Sequence, residues 1–214
     1  MFNEELFVAQ SSGIVGILLA AGAGTRFGGD KCLARLPDGV PMAVRSAENL
    51  STIVDEVLCV VRPQDEWLRG LLHKASFSTV ICDDAEEGMG ASIRAGVAAR
   101  SLAAEWVIAL ADMPVIRERT YKRMMLRLTD DHIVRPEFNG QAGHPVCFPM
   151  RYREDLLALQ GDQGAKGVIQ QYPDQVQAFE SMDPGVLKDF DTPEALEAYF
   201  NQDHASLAYL LGQA

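Results

Sequence analysis

Glycine, hydroxyl and cationic residues are interleaved in the loop that follows the first apolar run of the chain. The stretch ILLAAGAGTRFGGDK, residues 17–31, starts as an apolar segment and then places four glycines among Thr25, Arg26 and Lys31. Glycines adopt φ > 0 without strain and let backbone N–H groups approach phosphate oxygens closely. Arg26 can bind a phosphate through two parallel hydrogen bonds, and Lys31 can act as a mobile point charge. The loop therefore predicts a phosphate-binding site.

Two familiar phosphate loops do not match this spacing. The P-loop requires Gly-Lys-Ser/Thr, whereas here Asp30 precedes Lys31 and a cysteine follows it. The first two glycines of the dinucleotide-binding fingerprint are present, but its third position falls on Phe27, where close helix packing requires Gly or Ala. The loop belongs to neither class.

Three acidic residues are candidates for a metal site. Asp112 ends the apolar run 105–112, at the sheet edge where ligands of open α/β sheets bind. Hard divalent cations prefer carboxylate and phosphate oxygens, although Asp112 could instead cap a helix that begins nearby. Asp189 and Asp191 are two residues apart, so on an extended segment they point to the same face. For Asp191 the alternative is a supporting role beside Thr192, which can cap the last helix.

Polar residues also follow a second glycine-rich turn. Ser92 and Arg94 lie in the first turns of a predicted helix after Gly88, where backbone N–H groups favour an anion or a base carbonyl. A solvated helix face is the alternative for both. His144 lies in a Gly-His-Pro turn, and an isolated histidine in a turn is more often structural or solvated than catalytic.

Strand and helix patterns alternate along the first part of the chain. Apolar, β-branched strands predicted at 13–21, 54–61, 77–84 and 105–112 are separated by helices predicted at 41–50, 64–74 and 90–102, with another at 117–129. This order is typical of βαβ units in a parallel sheet. Two short proline-bounded strands, 132–136 and 144–149, predict a hairpin-like excursion or a mixed sheet edge. Helices are then predicted at 151–160 and in the segment 161–172, strands at 176–181 and 186–191, and a last helix from Thr192.

Composition narrows the class of protein. The chain has 214 residues and a formal net charge of −11, which argues against a surface that coats nucleic acid. Its four cysteines are scattered without CxxC spacing, so we expect neither a zinc site nor a disulfide framework. The acidic N-terminus is unlike a signal peptide, and no apolar run is long enough for a membrane span. We expect a cytoplasmic protein with a loose N-terminal segment, 1–12, and a single domain over 13–214.

The loop at 19–31, LAAGAGTRFGGDK, resembles the signature L-A-A-G-x-x-x-R-x-G-x-x-K of MobA-like nucleotidyltransferases, especially the molybdenum cofactor cytidylyltransferases. Further similar segments follow in the family's order: EEGMGASIRAGVAA, LADMP, GHPVCF, GDQGAKGVI and DFDTPEAL. The resemblance implies a three-layer Rossmann-like α/β fold of the nucleotide-diphospho-sugar transferase type, with a mostly parallel sheet and helices on both faces. Lys166 departs from the pattern, since many members carry arginine there.

The resemblance also implies roles for individual residues. The implied catalytic residues are Arg26, Lys31 and Asp112, the metal ligands of an Mg²⁺ ion are Asp112 and Asp191, and His144 lies at the acceptor site. The implied nucleotide-binding residues are Ala20, Ala21, Gly22, Ala23, Gly24, Thr25, Arg26, Lys31, Gly88, Ser92 and Arg94.

The implied reaction is cytidylyl transfer from CTP to the terminal phosphate of molybdopterin-bound molybdenum cofactor, with release of pyrophosphate. Ala21 favours CTP, because guanylyl-transferring members typically read LAGG where this chain reads LAAG. The implied partners are CTP, the molybdenum cofactor and a client molybdoenzyme of the xanthine dehydrogenase type, with no nucleic acid and no membrane. Two alternatives remain: the same fold with GTP or another small phosphorylated acceptor, and a non-catalytic carrier of the molybdenum cofactor. A pure carrier would need neither Lys31 nor Asp112.

Overall fold

The computed structural model describes residues 13–22, Gly24, Phe27 and residues 30–201. The strands in this part of the chain are β1 (Ile14–Leu19), β2 (Glu56–Val61), β3 (Ser78–Ile81), β4 (Glu105–Leu110), β5 (Ile133–Phe138), β6 (Gln141–Ala142), β7 (Val146–Pro149) and β8 (Val176–Glu180). The helices are α1 (Met42–Ser51), α2 (Glu66–Lys74), α3 (Met89–Ala99), α4 (Glu118–Met125), α5 (Arg153–Leu157) and α6 (Lys166–Gln171), and residues 193–201 are also helical.

One mixed sheet organises these elements. Its strand order is β3-β2-β1-β4-β7-β5-β6, and β8 pairs with β5. The β3-β2-β1-β4 half is parallel, with Ile17 of β1 aligned with Leu58 of β2 and Ile108 of β4. Strand β7 runs antiparallel to both β4 and β5, which confirms the predicted mixed edge.

Helices cover both faces of this sheet. Leu18 packs into a core with buried side chains of α1, α2 and α4, whereas Ile17 packs into a second core with those of α3, α5 and α6. Successive residues of a strand point to opposite faces, so a strand that is apolar at every position is buried on both sides. The predicted three-layer α/β architecture is confirmed.

One predicted strand is wrong. Residues 186–191 form no strand; a 3₁₀ turn at Pro184–Leu187 occupies the first part of this segment. Asp183 caps that turn, because its carboxylate accepts a hydrogen bond of 3.0 Å from the N–H of Gly185. The segment then contacts the sheet through the N–H of Phe190, which donates to the carbonyl of Asp112 at 3.1 Å. The start of the segment predicted as a strand is therefore a capped 3₁₀ turn.

The predicted N-terminal segment and the C-terminal end of the predicted domain lie beyond the residues that the structure describes. Residues 1–12 and 202–214 are not among the described residues, so the loose N-terminal segment and the single domain over 13–214 stay predictions. Within the described residues, no helix combines the length and the apolar character that crossing a membrane requires.

Candidate active site

The ends of β1 and β4 place two distant parts of the sequence at one sheet edge. The N–H of Ala20 donates to the carbonyl of Val60 at 2.9 Å, and the N–H of Ala111 donates to the carbonyl of Leu19 at 3.1 Å. Hydrogen bonding therefore continues just past the strands and holds the start of the glycine-rich loop beside Asp112. This is the carboxyl edge at which open α/β sheets bind their ligands.

A cavity of about 500 Å³ opens at this edge, and we call it the glycine-loop cavity. The predicted nucleotide-binding residues that line it are Ala20, Ala21, Gly22, Lys31, Gly88 and Ser92, and Asp112 lines it as well. Gly24 is not a lining residue; with φ +58° it forms a turn in which its carbonyl accepts from the N–H of Phe27 at 2.9 Å. The predicted contacts of Ala23, Thr25 and Arg26 lie outside the described residues.

Lys31 lies between two of the predicted metal ligands. It begins a 3₁₀ turn that Asp30 caps by accepting a hydrogen bond of 3.1 Å from the N–H of Cys32. Its Nζ donates to Asp112 at 2.5 Å and to Asp191 at 3.1 Å. Burial lowers the pKa of Lys31, but the hydrogen bonds and charges of these two carboxylates outweigh that effect and raise it overall. Lys31 is therefore a charged group in the cavity wall.

Cys32, the neighbour of Lys31, does not offer a nucleophile. Its thiol is buried, and burial together with the charge of Asp30 raises its pKa far above the ordinary value. The reactive form of cysteine is the thiolate, which is negligible here at neutral pH.

Three carboxylates converge beside the glycine-loop cavity. Ligand atoms of Asp112, Asp189 and Asp191 all lie within 4.8 Å of one another. Oδ1 of Asp112 is buried and has no hydrogen-bond partner within the described part of the chain. Hard cations such as Mg²⁺ take carboxylate oxygens, and a buried orphan oxygen is an available ligand. The donor set therefore fits Mg²⁺.

The alternative role of Asp112 as a helix cap is excluded. The next helix, α4, begins at Glu118 with Arg117 in the capping position. The predicted cap at Thr192 is confirmed, because its hydroxyl accepts from the N–H of Ala195 at 3.2 Å. Asp191 is thus not needed to cap the last helix.

The second glycine-rich turn shows why glycine is required at its first position. Gly88 has φ +112°, and a Cβ there would lie 2.7 Å from the Cα of Asp162. Ser92 is buried and lines the glycine-loop cavity. Arg94 does not line it; its guanidinium donates to the carbonyl of Leu159 at 2.5 Å and to Glu87 at 2.8 Å. Nucleotide contact by Arg94 stays a prediction that this placement does not favour.

A second cavity, of about 350 Å³, adjoins the first, and we call it the hairpin cavity. Arg135, Ala142, His144 and Lys166 are among its lining residues. The two cavities share the wall residues Leu19, Met89, Leu110 and Asp162. Two ligands bound in them would therefore meet.

His144, the predicted acceptor-site residue, faces the hairpin cavity. Burial lowers the pKa of its imidazole, although the negative charges of Asp112 and Asp189 act in the opposite direction. Its Nδ1 is buried and makes no hydrogen bond within the described residues. His144 therefore supplies a neutral ring rather than a cation at neutral pH.

Sequence reasoning missed several residues that line the glycine-loop cavity, among them Arg62, Gln64 and Asp162. Nε and a terminal nitrogen of Arg62 donate to Asp65 at 2.9 and 2.8 Å, which fixes the guanidinium. Arg62 and Gln64 directly follow β2, as Asp112 follows β4. The rule that ligands bind at strand carboxyl ends could have identified both.

The chain is similar in sequence to a known family of proteins and to two characterised relatives. Residues 16–176 match the family model described as the MobA-like NTP transferase domain. The purine catabolism protein PucB of Bacillus subtilis (strain 168) is 31% identical over 195 residues, which cover 86% of this chain and 95% of PucB. The nicotine blue oxidoreductase of Paenarthrobacter nicotinovorans is 27% identical over 194 residues, 86% of this chain and 94% of that protein.

The fold recurs in solved structures. A nucleotidyl transferase from Methanothermobacter superposes with a TM-score of 0.77 at 19% identity, covering 91% of this chain and 98% of that one. At this identity the likeness concerns the fold.

Proposed function

Because this chain belongs to the MobA-like NTP transferase family and is a nucleotidyltransferase, we propose that it transfers the cytidylyl group of CTP to the terminal phosphate of molybdopterin-bound molybdenum cofactor. The observation that carries the proposal is the convergence of Lys31, Asp112 and Asp191 beside two cavities that share a wall. A donor nucleotide in the glycine-loop cavity would meet an acceptor in the hairpin cavity near this cluster.

In the proposed reaction an oxygen of the acceptor phosphate forms a bond to the α-phosphorus of CTP, and the bond from that phosphorus to the β-phosphate oxygen breaks. Pyrophosphate leaves with the electron pair of that bond. The attacking phosphate is already ionised at neutral pH, so no general base is required, in keeping with a neutral His144. The chain mainly has to bring two polyanions together in line, and positioning of this kind lowers barriers substantially.

The cationic and backbone N–H groups of the site would bind phosphates, and its carboxylates would bind the metal. We propose that Lys31 and backbone N–H groups of the loops at Gly22 and Gly88 bind the phosphates and stabilise charge on the departing pyrophosphate. Asp112, Asp189 and Asp191 would hold Mg²⁺, which when bound supplies charge neutralisation and orientation of the reacting phosphates. The proposed role of Arg26 as a phosphate clamp rests on the sequence motif alone.

The choice of CTP rests on Ala21. Its side chain is buried and lines the glycine-loop cavity, so its methyl group takes space that a glycine would leave open. Cytosine is smaller than guanine and would fit the narrower cavity. A difference of about one methyl group is worth roughly 1–3 kcal/mol of discrimination.

We propose a molybdoenzyme of the xanthine dehydrogenase type as the client. The relative PucB is named for purine catabolism, and xanthine is a purine. The other relative is named an oxidoreductase, so a redox activity has to be tested beside transfer. The ion-paired Lys31 and the carboxylate cluster favour phosphoryl chemistry over a carrier role, since a carrier would need neither.

The test is pyrophosphate release from CTP in the presence of Mg²⁺ and purified molybdenum cofactor. We expect release that requires CTP, acceptor and Mg²⁺ together, and mass spectrometry of the product should show the added cytidine monophosphate. GTP, ribose 5-phosphate and glycerol 3-phosphate replace donor or acceptor in parallel reactions. Binding of the cofactor without pyrophosphate release would support the carrier, and oxidation of NADPH in place of release would support a reductase.

A further inference from the structure

Positive charge is concentrated in one short stretch of this acidic chain. Residues 117–127, RERTYKRMMLR, hold five of the 19 lysines and arginines and a single acid, although the whole chain has a formal net charge of −11. Lys122 and Arg123 lie in the last turn of α4, where a cation interacts favourably with the helix dipole. Arg117 and Arg119 lie at the start of α4, where a cation is unfavourable. Helix stability therefore does not account for the whole cluster.

Two of these five cations have acidic partners. Nζ of Lys122 contacts Glu118 at 2.7 Å, and Nε of Arg117 lies 3.8 Å from the buried carboxylate of Asp183. Within the described residues, no salt bridge is formed by the other three, which are Arg119, Arg123 and Arg127. Their spacing of four residues places them in one row along α4 and the turn that follows it. At 1.5 Å per residue this row is about 12 Å long.

Contacts with β8 and the residues after it hold these three guanidinium groups in place. Arg119 donates to the carbonyl of Met182 at 3.3 Å. The guanidinium carbons of Arg123 and Arg127 lie 5.5 and 5.0 Å from the centre of the Phe179 ring, and Arg127 also donates to the carbonyl of Arg123 at 2.7 Å. A guanidinium has five N–H donors, and stacking on an aromatic face uses none of them. The row is therefore preorganised and retains donors for an anionic partner.

Two aliphatic side chains are exposed beside this row. Leu126 is 83% exposed and lies about one helical turn after Arg123. Met182 is 72% exposed, and its carbonyl is the group that Arg119 binds. Single exposed apolar residues are common on protein surfaces, but these two flank the same row of cations. We call the five residues together the α4 arginine surface: Arg119, Arg123, Leu126, Arg127 and Met182.

We propose that the α4 arginine surface binds an acidic segment of a partner protein, in which two or three carboxylates flank an aliphatic side chain. Carboxylates accept paired hydrogen bonds from guanidinium groups, and the aliphatic side chain would pack on Leu126 and Met182. A row of about 12 Å matches two turns of a helix that carries acids four residues apart. The proposal is independent of the transfer reaction, because no residue of this surface lines the glycine-loop cavity or the hairpin cavity.

The surroundings of the surface favour a protein segment over a nucleic acid or an anionic membrane. Glu118, Asp130 and Glu180 are exposed and adjoin the surface in sequence. A long polyanion or a flat anionic membrane would extend past the arginines and meet the repulsion of these acids. The exposed apolar residues are aliphatic, whereas proteins that bind single-stranded nucleic acids stack the bases on aromatic side chains. A short acidic segment contacts the arginines without reaching the surrounding acids.

The test uses a fluorescein-labelled peptide of about 15 residues, long enough to form a helix, with glutamates four residues apart and leucines between them. It is titrated into the whole protein and followed by fluorescence anisotropy. We expect saturable binding that weakens as ionic strength rises, and weaker binding of a second peptide in which serine replaces leucine. Arg119→Gln combined with Arg123→Gln should weaken binding at least about fivefold, as expected for the loss of two exposed charge pairs.

A matched control removes the same charge elsewhere. Arg69→Gln combined with Lys74→Gln changes two cations of α2, which lies beside β3 at the opposite end of the sheet from β8. This variant should bind the peptide as the parent does. Leu126→Ser should weaken binding at least about threefold, because an aliphatic contact is lost. Its side chain is exposed, so this variant should melt with the parent and keeps the test decisive even if the double arginine variant unfolds.

Four outcomes would overturn the proposal. The first is absence of peptide binding to the parent protein. The second is an equal loss of binding in the α2 control, which would make the attraction a matter of overall charge. The third is unchanged binding in Leu126→Ser together with equal affinity for the serine peptide, which would remove the aliphatic contact. The fourth is tighter binding of a single-stranded oligothymidylate or of phosphatidylserine vesicles than of the peptide at the same ionic strength, which would replace the protein segment by another partner.

Discussion

Replacement of Asp112 by asparagine separates the metal-site mechanism from a purely structural role. Asn keeps the size of the side chain and much of its hydrogen bonding, but it removes one of the three charges whose oxygens lie within 4.8 Å of one another. Asp112 caps no helix, and its Oδ2 contacts Lys31 at 2.5 Å while its Oδ1 has no described partner. The variant therefore changes the charge of the cluster and little else.

The magnitude follows from Coulomb's law. One unit charge acting on a divalent cation at about 4 Å contributes about 2 kcal/mol even in a water-like dielectric, and more at a partly buried site. Since Asp112 has only 15% of its side chain exposed, we take about 2 kcal/mol as the lower limit. The dissociation constant for Mn²⁺ should therefore rise at least about thirtyfold.

Stability should change little in the same variant. Loss of the charge on Asp112 weakens the hydrogen bond from Lys31, which is worth about 1.5–3 kcal/mol for a charged pair. Loss of that charge also relieves its repulsion by Asp189 and Asp191, and Lys31 retains its contact with Asp191 at 3.1 Å. These effects oppose each other, so the melting temperature in EDTA should stay close to that of the parent.

Three measurements check these expectations: Mn²⁺ binding by paramagnetic resonance, pyrophosphate release from CTP, and thermal melting in EDTA. Asp38→Asn is the matched control, because Asp38 is an ion-paired acid whose carboxylate contacts Arg45 at 2.7 Å away from both cavities. It removes the same charge and should leave metal binding and turnover unchanged. Turnover at the parent rate in Asp112→Asn at ordinary Mg²⁺ would refute the mechanism.

Three further predictions each concern one residue: Lys31, Ala21 and Glu105. Lys31→Met should fold but release pyrophosphate about 10²–10³-fold more slowly, the loss expected when one transition-state donor is removed. The control Lys122→Met, on the surface of α4, should release pyrophosphate at the parent rate. Thermal shifts with Mg²⁺ should be larger for CTP than for GTP in the parent, and Ala21→Gly should narrow that difference; equal parent shifts would reject the base assignment. Burial raises the pKa of Glu105, so the stabilising contribution of its neutral form should be lost as pH rises through that pKa. Glu105→Gln should therefore be more stable than the parent in urea at pH 7, and this gain should fade towards about pH 4.

The parallel half of the sheet was predictable because its strands carry their own signal. β1, β2 and β4 are apolar at nearly every position, which only a strand buried on both faces requires, and the observed bounds fall within two residues of those predicted. Because ligands of open α/β sheets bind at the carboxyl ends of strands, the sequence also predicted that Asp112 lies at the same sheet edge as the glycine-rich loop. Asp191 required more, since its contact with Lys31 spans 160 residues of sequence. Only its position two residues after Asp189 indicated a shared face.

The placement of Arg94 and the hairpin cavity could not be predicted. The helix pattern shows that Arg94 lies in α3, but its two hydrogen-bond partners, Leu159 and Glu87, come from loops whose approach depends on packing. The hairpin cavity combines residues of β5, the 142–144 turn and α6, three segments that no local pattern connects. Sites built at strand ends can be predicted from sequence, whereas cavities built between loops need the packed fold.

The acidic character of the chain and its proposed phosphate chemistry are compatible for a local reason. With a formal net charge of −11, the protein as a whole repels a nucleoside triphosphate. At the cluster itself, Lys31 contacts Asp112 and Asp191, and Asp189 lies beside these two aspartates, so one positive and three negative charges leave a formal charge of −2. A divalent cation brings that formal charge to zero, with the positive charge of Lys31 included in the sum. Bound metal would therefore remove the repulsion between the cluster and the phosphates of CTP, so we expect the proposed transfer to depend on a divalent cation.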